Sequence, residues 1–473
     1  MRTAAGIVIF FFPLAAGFIG LGCAGSPAID SSEAGKTTSY QAGSPVFDIE
    51  AIPAGGDSVS AVDLYMSIPY PSLIFEKCNG GFRARYEITA DLIDRTTANS
   101  PVEVTWAETT FVEQYEVTQS FEPILIFKRI PAAPGSYRLD VTLEDHIGAK
   151  KGRRMQGIGL MDPDDTRPSL GRISLRVRRH DGTVVPQISF FLPERTDSIG
   201  CAIEAYGFPR GGDSRIELHA LRFPADTSIA VSPAYFSVMP VPIGHSLIDF
   251  ARPDTVWSSA GTMIVRRRHE TFEIRVPPLP QGMYRFDYTV TTRTAAGTDT
   301  TLTAGRFYSV TGPGFPRPVT YPELIAAATY LANQREMSVL RHAAGPAEQR
   351  KQFEAFWLSL GGDPVRAAAL IRKYYGRVEE ANRLFSIVKE GWRSDRGLLY
   401  CVLGPPASVT NRLDTQTWYY DLSGNANENT YVFTRVIKQG EGLKVEDYIL
   451  SRFGGYESFW TRILAKWRSG DPM

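Results

Sequence analysis

The chain has 473 residues, enough for about three domains, and its 51 Lys plus Arg are matched by 51 Asp plus Glu. That balance leaves no global field to favour nucleic acid or an anionic lipid surface, so no nucleic-acid partner is expected. Gly (42) and Pro (32) are enriched, which implies many turns and a β-rich chain. Beyond Cys23, only Cys78, Cys201 and Cys401 remain, too few and too scattered for a disulfide framework. One bridge, such as Cys78 to Cys201, stays open beside the alternative of buried thiols.

The first segment carries one cation, Arg2, then an apolar run from Ala4 to Leu21, then small residues ending at Cys23. That is the layout of a secretory signal. The run approaches the length that spans a bilayer, but the cationic or aromatic flank of a retained helix is missing from Ala24 to Pro45, where only Lys36 is positive. The segment resembles a lipoprotein signal peptide, with Gly22 before the lipidated cysteine. The resemblance implies removal of residues 1–22, acylation of Cys23 and stable anchoring to a lipid bilayer through its acyl chains. Ala24 is not the Asp that, in the proteins it resembles, retains them in an inner membrane, so for a source with two membranes the resemblance implies an outer-membrane address, facing the periplasm or the cell surface. Residues 23–45 then read as a flexible tether.

From Val46 to Asp145 the chain shows short alternating runs, such as Ala61 to Ile68, Phe82 to Leu92 and Tyr137 to Leu143, bounded by turns such as Asn79-Gly80-Gly81. Period two bounded by turns reads as half-buried antiparallel strands. A second such block runs from about Arg172 to Tyr308. The two share an echo: Ile130 to Val141 matches Val276 to Tyr288, with a Pro-rich turn, a Gly and then Tyr137 or Tyr284 opening a strand. The expectation is two tandem immunoglobulin-like β-sandwiches, at 46–150 and 172–312, joined by an acidic linker at 151–171. The arginine runs at 176, 178 and 179 and at 266–268 read as charges protecting sheet edges.

After Pro318 the texture turns helical. Thr320-Tyr-Pro-Glu323 is a capping box, followed by helical spacing at Leu324, Ile325, Ala328 and Leu331. Further helices are expected from Ala347 to Leu360 and from Asp363-Pro364 through Phe385. Short strands are expected at Leu398 to Leu403, Thr417 to Asp421 and Tyr431 to Ile437, and a last helix from Glu457 to Trp467.

Within this stretch lies Gly391-Trp392-Arg393-Ser394-Asp395-Arg396-Gly397, followed by Tyr400, Gly404-Pro405-Pro406 and Trp418-Tyr419-Tyr420. Together with Phe356-Trp357, Asp363-Pro364, Arg377-Val378, Ala381-Asn382 and Phe385 upstream, it resembles the GWxTD domain, a family of exported bacterial proteins without an assigned activity. Ser394 stands where the family has Thr. The resemblance implies that 313–473 is a helical segment plus a small helix-plus-sheet domain. The motif itself reads as a rigid helix-to-strand corner, with Gly391 ending a helix at positive φ, Trp392 as an apolar plug and Ser394 or Asp395 accepting backbone N–H groups. The competing reading makes Asp395 a general acid or ligand and Arg396 an anion site, and no partner base, nucleophile or metal ligand stands near it in sequence.

No Gly-x-Ser-x-Gly, His-Glu-x-x-His, Cys-x-x-Cys or glycine-rich dinucleotide loop occurs, and the six His are isolated. The expectation is a mainly β, multidomain, non-enzymatic envelope lipoprotein that scaffolds or docks an envelope protein partner, without cofactor or metal. An envelope hydrolase acting on glycan or peptide, or a polysaccharide binder, is the alternative.

Overall fold

The computed structural model describes residues 43–55, 60–120, 122–162, 165–178, 182–195, 197–209, 211, 213–233, 247–266, 269–293, 297–421, 429–452 and 455–472. The expected signal segment, Cys23, most of the tether, and Arg179, Arg267 and Arg268 lie outside the described residues.

The first alternating block forms β1 (Asp48–Gly55), β2 (Ser60–Pro69), β3 (Glu76–Cys78), β4 (Gly81–Asp94), β5 (Val102–Val112), β6 (Pro123–Pro131), β7 (Gly135–Asp145) and β8 (Lys150–Leu160). A one-turn helix, α1 (Tyr115–Thr118), joins β5 to β6. One sheet has the order β1-β2-β6; the other runs β5-β4-β7-β8, with β3 also against β4. Because side chains alternate along a strand, Val62, Leu64, Met66 and Ile68 of β2 all reach one core. There they meet Ile88, Ala90 and Leu92 of β4 and Leu139, Val141 and Leu143 of β7.

The second block repeats this plan with β9 (Ser169–Leu170), β10 (Ser174–Arg178), β11 (Val184–Pro186), β12 (Phe191–Pro193), β13 (Ile199–Tyr206), β14 (Asp213–Phe223), β15 (Asp254–Ile264), β16 (His269–Val276), β17 (Gly282–Arg293) and β18 (Asp299–Thr311). The sheet β10-β13-β16 faces the sheet β15-β14-β17-β18, with β11 added beside β10, β9 beside β13 and β12 parallel to β18. Three strands facing four, visited in the same chain order, is the layout of the first block. The sequence echo has a structural cause. The Tyr137 hydroxyl donates to Ala133 O at 3.0 Å and the Tyr284 hydroxyl to Pro280 O at 2.8 Å, so each tyrosine ties the same corner of its sandwich.

Two sequence expectations fail here. The stretch expected as a linker contains β8, paired with β7 from Asp145↔Lys150 to Gly135↔Leu160. Its alternation is hidden by glycines. Gly152 is one of them because a Cβ there would lie 2.1 Å from Pro45 O. Arg176 is not an edge guard either, since it pairs with β13 on one side and β11 on the other, whereas Arg178 lies past the register of β13 and pairs with β11. Arg176 instead stands 3.8 Å from Glu273, and Arg178 donates to Gly182 O.

The C-terminal part holds α2 (Tyr321–Ala327), α3 (Gln334–His342), α4 (Gly345–Gly361), α5 (Pro364–Phe385) and α6 (Asp395–Leu403), then β19 (Ser408–Asn411), β20 (Thr415–Tyr419), β21 (Thr430–Gly440), β22 (Leu443–Leu450) and α7 (Tyr456–Arg468). The four strands pair antiparallel in chain order. The capping box forms as read, with Thr320 N–H donating to Glu323 Oε2 at 2.9 Å. A second capping box, Asn333 with Glu336, starts α3, a helix with no sequence-level expectation. The strand expected at Leu398 to Leu403 is helix. Every residue of α6 is buried, so its apolar run shows neither period, and such a run cannot be assigned by periodicity.

The cores are tied together. Glu50 on β1 is 1% exposed and receives both Nη groups of Arg306 on β18 at 2.6 Å, while Arg306 also donates to Ile173 O at 2.7 Å. On the other side of the second sandwich, Phe223, Leu247, Ile248, Met283 and Phe307 form one buried cluster with Val388, Leu443 and Val445 of the C-terminal part.

Candidate functional site

The residues of the motif sit at one joint between α5 and α6. After α5, the chain makes a 3-10 turn over Gly391–Arg393, and Ser394 then caps α6 by accepting Gly397 N–H at 3.1 Å. The corner is therefore helix-to-helix, not helix-to-strand, and Gly391 does not adopt a positive φ. Its lack of a side chain serves a close approach instead. A Cβ on Gly391 would lie 1.9 Å from Ala381 O, and one on Gly397 would lie 1.9 Å from Gly391 O. Helix α5, the turn and α6 touch there backbone to backbone.

Polar side chains fasten the turn from three directions. Ser386 Oγ accepts Gly391 N–H at 2.7 Å, Asn382 Oδ1 accepts Trp392 N–H at 3.1 Å, and Tyr330 OH donates to Trp392 O at 2.8 Å. Ser394 Oγ also donates to Gly391 O at 2.7 Å. Trp392, 2% exposed, is the expected plug: it packs edge-on against Tyr330, and its indole N–H reaches Glu390. Burial pushes the Tyr330 hydroxyl well above its usual range, so it stays a donor.

The two charged residues of the motif turn inward. Asp395 Oδ2 accepts Leu450 N–H at 2.8 Å, and both carboxylate oxygens receive Arg452. The first turn of α6 is thereby pinned to the end of β22. Arg396 is 0% exposed, sandwiched between the rings of Phe385 at 4.9 Å and Tyr448 at 4.5 Å. Burial lowers the pKa of Arg396 and raises that of Asp447, and the attraction between the two opposes both shifts. Arg396 is thus a buried packing cation, not an exposed anion site.

The remaining motif residues extend the same packing. Tyr400 OH donates to Glu380 at 2.7 Å, and Tyr420 OH to Gly404 O at 3.0 Å. Gly404 adopts φ +86, with Arg377 so close that a Cβ would meet its Nη2 at 2.8 Å. Trp418 is 0% exposed and its indole N–H donates to Gln416; Pro406 is buried. Reasoning from sequence missed Ser386, Asp447, Tyr448 and Arg452. They lie outside the motif, and only the return of β22 brings the last three to it.

Beside the joint is a cleft of about 630 Å³ between the second sandwich and the turn, lined by Arg222, Phe223, Asp254, Met283, Glu390 and Arg393 among others. Its cations are engaged: Lys389 Nζ lies 2.8 Å from Asp226, and Arg393 holds Glu390 at 2.8 Å. Burial works to raise the Asp226 carboxyl, but its bonds to Lys389 and Ser228 prevail and hold it below the usual range. Across the joint, Ala230 N–H donates to Arg393 O at 2.8 Å and Arg452 to Val231 O at 2.7 Å. Among the described residues no group of three or more His, Cys, Asp or Glu is placed to hold a metal ion. Cys78, Cys201 and Cys401 are free, the last two buried in separate cores.

Residues 294–469 match the family model described as the GWxTD domain. No curated protein matches the chain. Among solved structures, red sea bream transglutaminase is 8% identical with a TM-score of 0.17, over 56% of this chain and 31% of that one. This chain thus spans about a third of that protein's length. The C-terminal domain of the Streptococcus pyogenes antigen I/II-family protein AspA is 8% identical with a TM-score of 0.16, over 56% of this chain and 98% of that domain. At those scores neither likeness bears on this chain's activity.

Proposed function

We propose that this chain, which carries a GWxTD domain over residues 294–469, is a non-enzymatic envelope lipoprotein that holds an interaction module away from a membrane. The observation that supports the reading is the fate of Asp395, the motif's one candidate acid. Its carboxylate is 7% exposed at the residue level and committed to Leu450 N–H and Arg452, so it is spent on joining helix to sheet. A group serving as general acid or base needs reach to a substrate proton. The sandwiches then act as a spacer, tied to each other through Glu50 and Arg306 and to the GWxTD domain through the cluster around Phe223 and Val388.

Anchoring follows from Cys23 and its apolar run. In this reading acyl chains on Cys23 supply the attachment, and no helix among the described residues, which begin at 43, is long and apolar enough to cross a membrane. Cys23→Ala is expected to release the protein from the membrane pellet or leave the precursor unprocessed. Normal pelleting at unchanged precursor and mature masses would contradict the anchor. Crosslinking in intact cells tests the docking role, and a protein captured reproducibly through the C-terminal domain is the expected result.

A further inference from the structure

Most long sheet edges among the described residues are guarded. Edge strand β5 carries Glu103 and Glu108, β8 carries Lys150, Lys151, Arg153 and Arg154, and β16 carries Glu270, Glu273 and Arg275. Charges of this kind stop a stranger's strand from adding to unpaired backbone groups. Strand β15 occupies in the second sandwich the edge position that β5 occupies in the first, pairing with β14 alone. After Asp254 it reads Thr-Val-Trp-Ser-Ser-Ala-Gly-Thr-Met-Ile, without a charge or a proline. Val256 (41% exposed) and Ile264 (53%) face solvent along it. A register shift opposite Ala220/Leu221 bulges the strand at Val256, which leaves Trp257–Ile264 as the straight, open part.

The inner face of that part is incomplete. Trp257, opposite Ala220, packs half-buried against the second core. Gly261, opposite Ile216, shares this face, and a Cβ built on it meets nothing within 4 Å. Among the described residues the space above Gly261 is therefore open, on an edge to which no further strand is paired.

We propose that β15 is the contact strand of a twofold dimer of this chain, paired antiparallel about Ser259 so that each Trp257 lies across the other copy's Gly261. A slip of one residue would put the inner face of one copy beside the outer face of the other, so the twofold must pass through a residue and not between two. Of such centres, Ser259 is the one that sets Trp257 against Gly261, with Ser258 against Ala260. An aromatic ring laid across an edge glycine is a favourable cross-strand pair. An isologous contact makes this pair twice. The uncharged ladder places no like charges opposite each other, and the formal net charge of the whole chain is +0. This proposal stands independently of the envelope reading.

Sedimentation of the purified full chain, with bound detergent accounted for, is expected to give a two-chain mass that falls to one chain on dilution. Ala260→Lys sets a lysine beside the twofold of each copy, on an exposed position, and is expected to give a one-chain mass with the melting temperature the parent shows when diluted to one chain. Ser259→Cys, mildly oxidised, is expected to crosslink two copies through residue 259, whereas Thr109→Cys on the guarded strand β5 is not. A one-chain mass for the parent protein overturns the proposal, and so does a two-chain mass that Ala260→Lys leaves intact. Should the lysine variant fail to fold, the cysteine pair decides alone: crosslinking equal at 259 and 109 overturns the proposal.

Discussion

Asp395 and Glu379 show how differently two buried carboxyls of one joint are handled. Asp395 has two donors, and neutralising it removes the counter-charge of Arg452, whose side chain is 16% exposed. Asp395→Asn is expected to cost about 1.5–3 kcal/mol, the range for a hydrogen bond to a charged group, measured by chemical denaturation. A turn acceptor alone would account for about 1 kcal/mol; the ion pair to Arg452 is the difference. Glu379 on α5 is pushed up from its ordinary 4.5 to about 7, because burial outweighs the attraction of Arg383 and Arg317. The folded chain therefore holds a proton that the unfolded chain gives up. The stability this group contributes is full below pH 4.5 and is lost as pH rises through about 7. Glu379→Gln is expected to flatten the dependence of melting temperature on pH across that window. An unchanged slope there would show that Glu379 is ionised in the fold.

At the scale of elements, the joint between α5 and α6 works as a backbone contact stitched by short side chains. Gly391→Ala must displace Ala381 O or Ser386 N, each within 2.8 Å of the added carbon, and is expected to abolish soluble expression or lower the melting temperature far more than Gly376→Ala. A Cβ at Gly376, on α5, meets nothing within 4 Å. Ser394→Ala removes the cap of α6 and is expected to cost about 1 kcal/mol. Much of this was legible in the chain. Trp392 reads as a plug because a large apolar ring beside Gly in a turn has nowhere else to be buried. The caps at Thr320 and Asp363 read from side-chain oxygens standing before helical periodicity. What was not legible has a common cause: α6 is buried on every side and β8 is interrupted by glycines, so neither carries the period that betrays its type. The partners Asp447 and Tyr448 come from β22 and Arg452 from the chain just after it, about fifty residues on, and no local rule points to them.

For the whole molecule, the tandem plan was readable from the echo around Tyr137 and Tyr284, because each tyrosine closes the same corner. The ties between the bodies were not, since Glu50 and Arg306 are 256 positions apart and each alone resembles any charged residue of a strand. Burial works to lower the pKa of Arg306, but Glu50 and Tyr308 together outweigh it and hold it raised. Glu50→Ala is expected to cost about 3–5 kcal/mol by leaving a buried guanidinium without its carboxylate. The pair Glu50→Leu with Arg306→Met is expected to recover most of that loss, as read by denaturant midpoint. We propose that the motif builds a joint and performs no chemistry. This proposal is tested most directly by measuring melting temperature and envelope phenotype on the same two full-length variants, Trp392→Ala and Asp395→Asn. The structural account predicts that function falls in proportion to stability, with Trp392→Ala the worse of the two at about 3–5 kcal/mol. An Asp395→Asn protein that melts like the parent yet behaves as a null would contradict it.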